Sequence, residues 1–139
     1  MRNLYDVQRS LLAHFLAEWE DRTVIEYPGI EFNPDAVDEW VQVIFAAQKP
    51  RPQRRGGHIA RLRILAHIYH KFGINTHRIA ELGSKVMEIF HQRDITLVGV
   101  GVVVRCSESE YMYHGQANFR KKEFEGFETA SVVTEAQVE

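Results

Sequence analysis

The stretch from residue 59 to residue 70 reads IARLRILAHIYH, and its apolar residues recur at every second position. Polar side chains, Arg61, Arg63 and His67, lie between them. Because side chains alternate between the two faces of a β-strand, this pattern predicts a strand with one face in the core. The apolar positions are Ala60, Leu62, Ile64, Ala66 and Ile68.

A second strand is expected just before this one. Residues 39–48 are rich in β-branched and aromatic side chains, which favour strands. The segment between the two strands, residues 49–58, reads KPRPQRRGGH and contains two prolines, two glycines and four basic residues, which is typical of a loop. Together these segments predict a long, protruding β-hairpin arm with a basic tip.

Two helices are expected on either side of the hairpin. Residues 4–19 carry apolar side chains three and four positions apart, and residues 75–92 return to the same spacing. Such spacing gives each helix one buried stripe. We predict the stripes to be Leu4, Val7, Leu11, Phe15 and Trp19 in the first helix, and Ile79, Leu82, Val86, Ile89 and Phe90 in the second.

The rest of the chain adds shorter elements. Residues 23–27 read as a short strand before the break Tyr27-Pro28-Gly29, and residues 95–105 as one buried strand interrupted by two glycines. We expect residues 107–115 to form a connection and residues 118–133 a final strand. The predicted class is α+β, with a mixed or antiparallel sheet of about four to five strands and two packed helices. A single domain is expected over residues 1–133, followed by a flexible tail, residues 134–139.

Charge is distributed unevenly along the chain, although the net charge is only −2. Residues 1–40 hold three basic and nine acidic side chains. Residues 41–80 hold eight basic side chains and no Asp or Glu, and the remainder is again acidic. A chain polarised in this way can bind polyanions through its middle or bind other copies of itself head to tail.

Enzyme signatures are missing from the sequence. There is no Gly-x-Ser-x-Gly elbow, phosphate-binding loop, dinucleotide fingerprint or His-Glu-x-x-His motif. His67 and His70 are separated by an odd number of positions on a presumed strand, so they should face opposite sides and not share a metal ion. The lone Cys106 indicates a reducing compartment and is expected to be a buried small hydrophobe. We therefore expect neither catalysis nor a cofactor nor a metal.

The basic loop is the feature that most needs a partner. Three interpretations remain open: a solvated loop, a grip on nucleic acid through phosphates, and a contact with the acidic first third of a neighbouring copy. The last explains both charge blocks at once. On that hypothesis the basic side of the subunit or tube interface comprises Lys49, Arg51, Arg54, Arg55, Arg61 and Arg63. The acidic side comprises Asp35, Asp38 and Glu39.

The order of elements resembles that of the bacteriophage tail terminator family, which includes the minor tail protein U of lambda-like phages. The resemblance follows the first helix ending in LAEW (16–19), the proline turn at residues 27–29 and the strand EWVQV (39–43). It continues through GHIARL (57–62) to the second helix, THRIAEL (76–82). The similarity lies in the order of the elements and in the types of residue that they contain. The family has no catalytic or ligand-binding residues to transfer to this chain.

The resemblance implies a virion structural protein. Members of this family form a ring, usually a hexamer, that caps the last ring of the tail tube, ends tail elongation and joins tail to head. The expected partners are other copies of the chain, the major tail tube protein and a head-completion or connector protein, with DNA at most passing through the lumen. No membrane partner is expected, since no apolar run is long enough to span a bilayer. The alternatives are a head-completion (neck) protein and a nucleic-acid-binding module, and the expected location is the virion, assembled in the host cytoplasm.

Overall fold

A computed structural model describes residues 4–27, 29–52, 58–71, 77–116 and 126–139. Its helices are α1 (Leu4–Trp19) and α2 (Arg78–Phe90). Its strands are β1 (Val24–Glu26), β2 (Glu39–Pro52), β3 (His58–Lys71), β4 (Asp94–Leu97), β5 (Val102–Gln116) and β6 (Phe127–Val138). A short 3-10 turn, Pro34–Ala36, precedes β2. The α+β class and the two helices are confirmed.

The strands form one six-stranded sheet in the order β1-β2-β3-β6-β5-β4. β1 runs parallel to β2, whereas every other neighbouring pair is antiparallel, so the sheet is mixed. The sheet therefore has more strands than the four to five expected. β3 lies inside it, between β2 and β6.

The core lies between one face of the sheet and the two helices. Leu62, Ile64, Ala66 and Ile68 of β3 are all at most 1% exposed, which confirms the alternation. The stripes of α1 and α2 pack against them, and Phe15 of α1 stacks on Phe90 of α2 with ring centroids 5.8 Å apart. The predicted stripes are confirmed, except that Leu4 is only partly buried. Burial of these faces drives the helices onto the sheet.

The β2–β3 hairpin differs from expectation in its loop. β2 pairs with β3 as far as Pro52 and His58, so residues 49–52, predicted as loop, belong to a strand. The register shifts between Gln48 and Arg51, and an irregularity of this kind tolerates Pro50, whereas Pro52 lies at the end of the strand opposite His58. From Ala60 onward β3 also pairs with β6. The described part of the hairpin therefore lies mostly within the sheet, and a long protruding arm is not confirmed.

Residues 95–105 do not form one strand, as predicted, but two. A turn at residues 98–101 separates β4 from β5, and the carbonyl of Leu97 accepts hydrogen bonds from Val100 and Gly101. Gly101 has a φ of +69°, a conformation that glycine adopts without steric cost. The two glycines, which were expected to interrupt one strand, lie in the turn that separates two strands.

Two further predictions about the C-terminal half are wrong. Residues 107–115, expected to be a connection, lie in β5, and each of their polar side chains except Ser109 is exposed or only partly buried. The tail at residues 134–138, expected to be flexible, continues β6 and pairs with β3, burying Thr134, Ala136 and Val138. These small and apolar residues alternate with polar ones, as a strand requires. β6 begins at Phe127, and residues 118–125 of the predicted final strand lie outside the described residues.

Candidate interaction surfaces

The two helices cover one face of the sheet and leave the other without a helical layer. On this open face, Ile44, Leu65 and Val133 lie side by side on β2, β3 and β6, and each is partly buried. The next row contains Arg63 and Glu135, whose side chains pair at 2.7 Å. Towards the other end, a cluster of Trp40, Tyr69 and Phe127 is packed with Phe32 and Val37. The open face is thus aliphatic in its middle and charged beyond it.

Glu39, predicted to face a neighbouring copy, is engaged within its own chain. The Arg78 guanidinium donates hydrogen bonds of 2.9 Å to both carboxylate oxygens, Nη2 to Oε1 and Nε to Oε2. The hydrogen bond to Glu39 raises the pKa of Arg78 above its ordinary value. Bidentate pairs of this kind are directional and strong. The pair therefore fixes the start of α2 to the start of β2.

The other predicted interface residues are distributed over both ends of the hairpin. Asp35 and Asp38 precede β2, and the Asp38 carbonyl accepts a hydrogen bond from the Lys71 amide. Arg61 is partly buried on β3, one row from Arg63. The backbones of Lys49 and Arg51 lie in the last four residues of β2. Arg54 and Arg55 fall outside the described residues.

A cleft of about 570 Å³ lies between the end of α1, β1 and the start of β2. Leu16, Trp19, Ile25 and Val37 supply apolar walls, while Asp21 and Asp38 supply carboxylates. No basic residue lies in the last turn of α1, although helix C-termini attract positive charge. Arg22, just beyond it, donates hydrogen bonds to the carbonyls of Glu18 and Trp19. Sequence reasoning placed Asp38 at this site and missed Asp21.

A buried polar network lies on the helix-covered face near the cleft. His70 is 3% exposed, with Nδ1 at 3.5 Å from Oε1 of Glu128 and Nε2 at 3.8 Å from Oε2 of Glu39. Oε2 of Glu128 accepts a 2.8 Å hydrogen bond from the Tyr113 hydroxyl. The two ring nitrogens of His70 face different carboxylates, so these groups do not converge on one point as metal ligands must. The network connects β2, β3, β5 and β6.

The described residues offer little for covalent or metal chemistry. Cys106 is buried, and burial raises the pKa of its thiol to about 11, which suppresses the reactive thiolate. No group of three or more His, Cys, Asp or Glu side chains in the described ranges could hold a metal ion. Neither described helix is long and apolar enough to cross a membrane. The features of the described surface that suit binding are its charged residues, its exposed apolar area and an unpaired strand edge.

Comparison with known proteins identifies the fold and no more. No protein-family model and no curated protein matches the chain. Eight chains of solved structures match it. One of them, whose name states no function, superposes with a TM-score of 0.62 at 15% sequence identity, covering 95% of each chain. At that identity the likeness shows a shared α+β architecture over nearly the whole length.

Proposed function

We propose that the chain is a virion structural protein that forms a ring, caps the tail tube of a long-tailed bacteriophage and joins tail to head. The observation that carries the proposal is the position of opposite charges at opposite ends of one strand. The acidic cleft lies at the start of β2, and the basic segment from Lys49 to Arg55 begins at its other end. A strand of 14 residues spans on the order of 40 Å.

This separation favours contact between copies. The two charged ends are too far apart to neutralise each other within one chain, because charges are screened beyond about 8 Å at physiological ionic strength. A second copy placed head to tail brings the basic segment of one chain, which begins at Lys49, to the Asp21–Asp38 end of the next. Such a heterologous contact closes into a ring when the rotation between copies divides a full turn. A hexamer is the ring implied by the resemblance to tail terminators.

In this proposal the segment that links β2 to β3 acts as an arm and contacts the neighbouring subunit. The acidic partners are Asp38 and Asp21, with Asp35 close by in sequence, while Glu39 acts indirectly by fixing α2 through Arg78. Ring closure uses up the surface on which further tube rings would add. The ring then presents a different face to the head-completion protein, and its location is the tail–head junction of the virion.

The test compares two variants that lose the same charge. Arg54→Ser with Arg55→Ser removes two cations from the arm, whereas Arg9→Ser with Arg93→Ser removes two exposed cations elsewhere. Light scattering after size exclusion should show rings for the wild type and the Arg9/Arg93 control. The arm variant should lose them at a lower salt concentration than the control. Equal ring stability in both variants would remove the arm from the interface.

A functional measurement distinguishes a tail terminator from other proteins that form rings. Purified wild-type protein, added to polymerising tail tube subunits of the same phage, should stop elongation and appear at tube ends in electron micrographs. Rings that ignore tubes and bind the head portal would instead identify a head-completion protein. A gel shift with duplex DNA that persists at physiological salt would point to nucleic-acid binding.

A further inference from the structure

β5 has a long edge that the rest of the described chain leaves unpaired. β4 pairs with β5 only between residues 102 and 105. Two backbone bonds extend this contact, from the Cys106 amide to the Arg93 carbonyl and from the Gln92 amide to the Ser107 carbonyl. The Ser109 amide then donates to Nδ1 of His91. Beyond that point, within the described ranges, no strand pairs with this side of β5 through residue 116.

The direction of the backbone groups on this edge follows from the neighbouring residues. The Ser109 amide points outward to His91, and backbone groups alternate along a strand. The amides and carbonyls of Tyr111 and Tyr113 therefore also point outward. The side chains of Tyr111 and Tyr113 lie on the helix-covered face. Those of Glu110, Met112 and His114 lie on the open face, and Met112 is 57% exposed.

We infer that this edge binds the same edge of a second copy, antiparallel about a two-fold axis at Met112. In that register Tyr111 of each chain lies opposite Tyr113 of the other. These are the residues with outward backbone groups, so each pair exchanges both of its N–H···O=C bonds. Met112 meets its own copy on the axis.

The sequence around Met112 is complementary to itself in this register. Residues 110–114 read EYMYH, so Glu110 lies opposite His114 of the partner, and a carboxylate faces an imidazole at each end. Both side chains are exposed. Nε2 of His114 lies 2.7 Å from Oγ of Ser131 in its own chain, so Nδ1 is the ring nitrogen left to meet the partner's carboxylate. The register of β5 against β6 shifts between Tyr113 and Gly115, so His114 lies at the end of the regular pairing. A register shifted by one residue would place the outward backbone groups of one chain opposite inward backbone groups of the other. A register shifted by two residues would place Glu110 opposite Met112 of the partner copy. Long, exposed edges are normally blocked or paired in natural proteins, and Tyr113 is 49% exposed here.

This contact goes beyond the proposed ring and does not depend on it. A two-fold contact is isologous and joins two copies only, whereas the contact through the basic arm is head to tail. The edge therefore pairs free subunits, or joins two rings back to back. A protein that forms no ring would still show the two-fold contact.

Cysteine cross-linking tests the register. Residues facing each other without mutual backbone bonds have Cα atoms about 4.5 Å apart, within the range that a disulfide spans. Met112→Cys should therefore form a disulfide-linked dimer under mild oxidation. Glu110→Cys is the matched control, since four residues separate it from its own copy in the register, or roughly 14 Å. The native Cys106 does not compete, because it is buried and burial raises the pKa of its thiol to about 11.

A mixture of Glu110→Cys and His114→Cys proteins gives the second check. It should form mixed dimers, while each variant alone remains largely uncross-linked. The arm variant Arg54→Ser with Arg55→Ser, combined with Met112→Cys, should cross-link as well as Met112→Cys alone. Monomeric Met112→Cys after oxidation, or equal cross-linking of Met112→Cys and Glu110→Cys, would overturn the inference and show that the edge is left free or takes another strand.

Discussion

Replacing Gly83 with alanine should destabilise the protein, although alanine is the better helix former. Gly83 lies inside α2 and is buried against Tyr111 of β5. A Cβ atom added at residue 83 would lie 2.5 Å from Cε2 and 2.6 Å from Cδ2 of the Tyr111 ring. Ordinary carbon–carbon contacts are about 3.5–4.0 Å, so the ring or the helix has to move by about 1 Å.

Two opposing effects set the size of the change. Alanine stabilises a helix interior by about 1 kcal/mol relative to glycine. Overpacking a tight contact costs about 1–3 kcal/mol. Tyr111 is only partly buried, so its ring can yield towards solvent, which favours the lower half of that range. The expected result is a net loss of up to about 1 kcal/mol in the free energy of unfolding.

Urea unfolding followed by tryptophan fluorescence measures this change, since Trp19 and Trp40 are both buried. Ser84→Ala is the matched control, because it alters the exposed neighbouring position of the same helix without a new contact. In a Tyr111→Ser background, Gly83→Ala should become stabilising, since the ring that it meets is gone. A Gly83→Ala protein more stable than the wild type would refute the close approach of α2 to β5.

Two further predictions concern the C-terminal half. Cys106 should react with a disulfide reagent at pH 8 far more slowly than a free thiol, because a pKa of about 11 leaves about one thiol in a thousand as thiolate. The reaction rate should rise as the pH approaches that value, and it should rise sharply in denaturant. Fast labelling of the folded protein would contradict the burial of Cys106. Deleting residues 134–139 should abolish folding or cost several kcal/mol, since it removes the part of β6 that pairs with residues 60–64 of β3, together with the buried Thr134, Ala136 and Val138. Circular dichroism would check this, and a truncated chain as stable as the protein with the exposed substitution Arg93→Ser would show that the tail is dispensable.

The elements that sequence predicted best are those with one face wholly in the core. β3 shows strict alternation because it lies between β2 and β6 and one of its faces is covered by the helices. α1 is found at Leu4–Trp19, the bounds expected from its apolar spacing. In both, the requirement to bury one face determines residue type position by position.

The interaction surfaces were harder to predict because they depend on register. Glu39 and Arg78 are 39 residues apart, and only the β2–β3 pairing and the packing of α2 bring them together. The same is true of His70 and Glu128, which are neighbours because β3 pairs with β6. A sequence alone fixes which residues are charged, but not which charges are neutralised within the chain. Glu39 was therefore assigned to an interface although its carboxylate is already paired.

The failure to predict β5 beyond Cys106 has a physical cause that bears on function. The segment SESEYMYHG was interpreted as a connection, and in the structure most of its side chains are exposed. A strand looks like this when it lies at an edge, with few neighbours to exclude water from it. The same lack of a neighbouring strand exposes these side chains and, within the described ranges, leaves the outward backbone groups of Tyr111 and Tyr113 without a strand partner. An edge strand whose sequence lacks the usual strand pattern is thus a candidate for pairing with a strand of another molecule. The register of that pairing has to be tested directly.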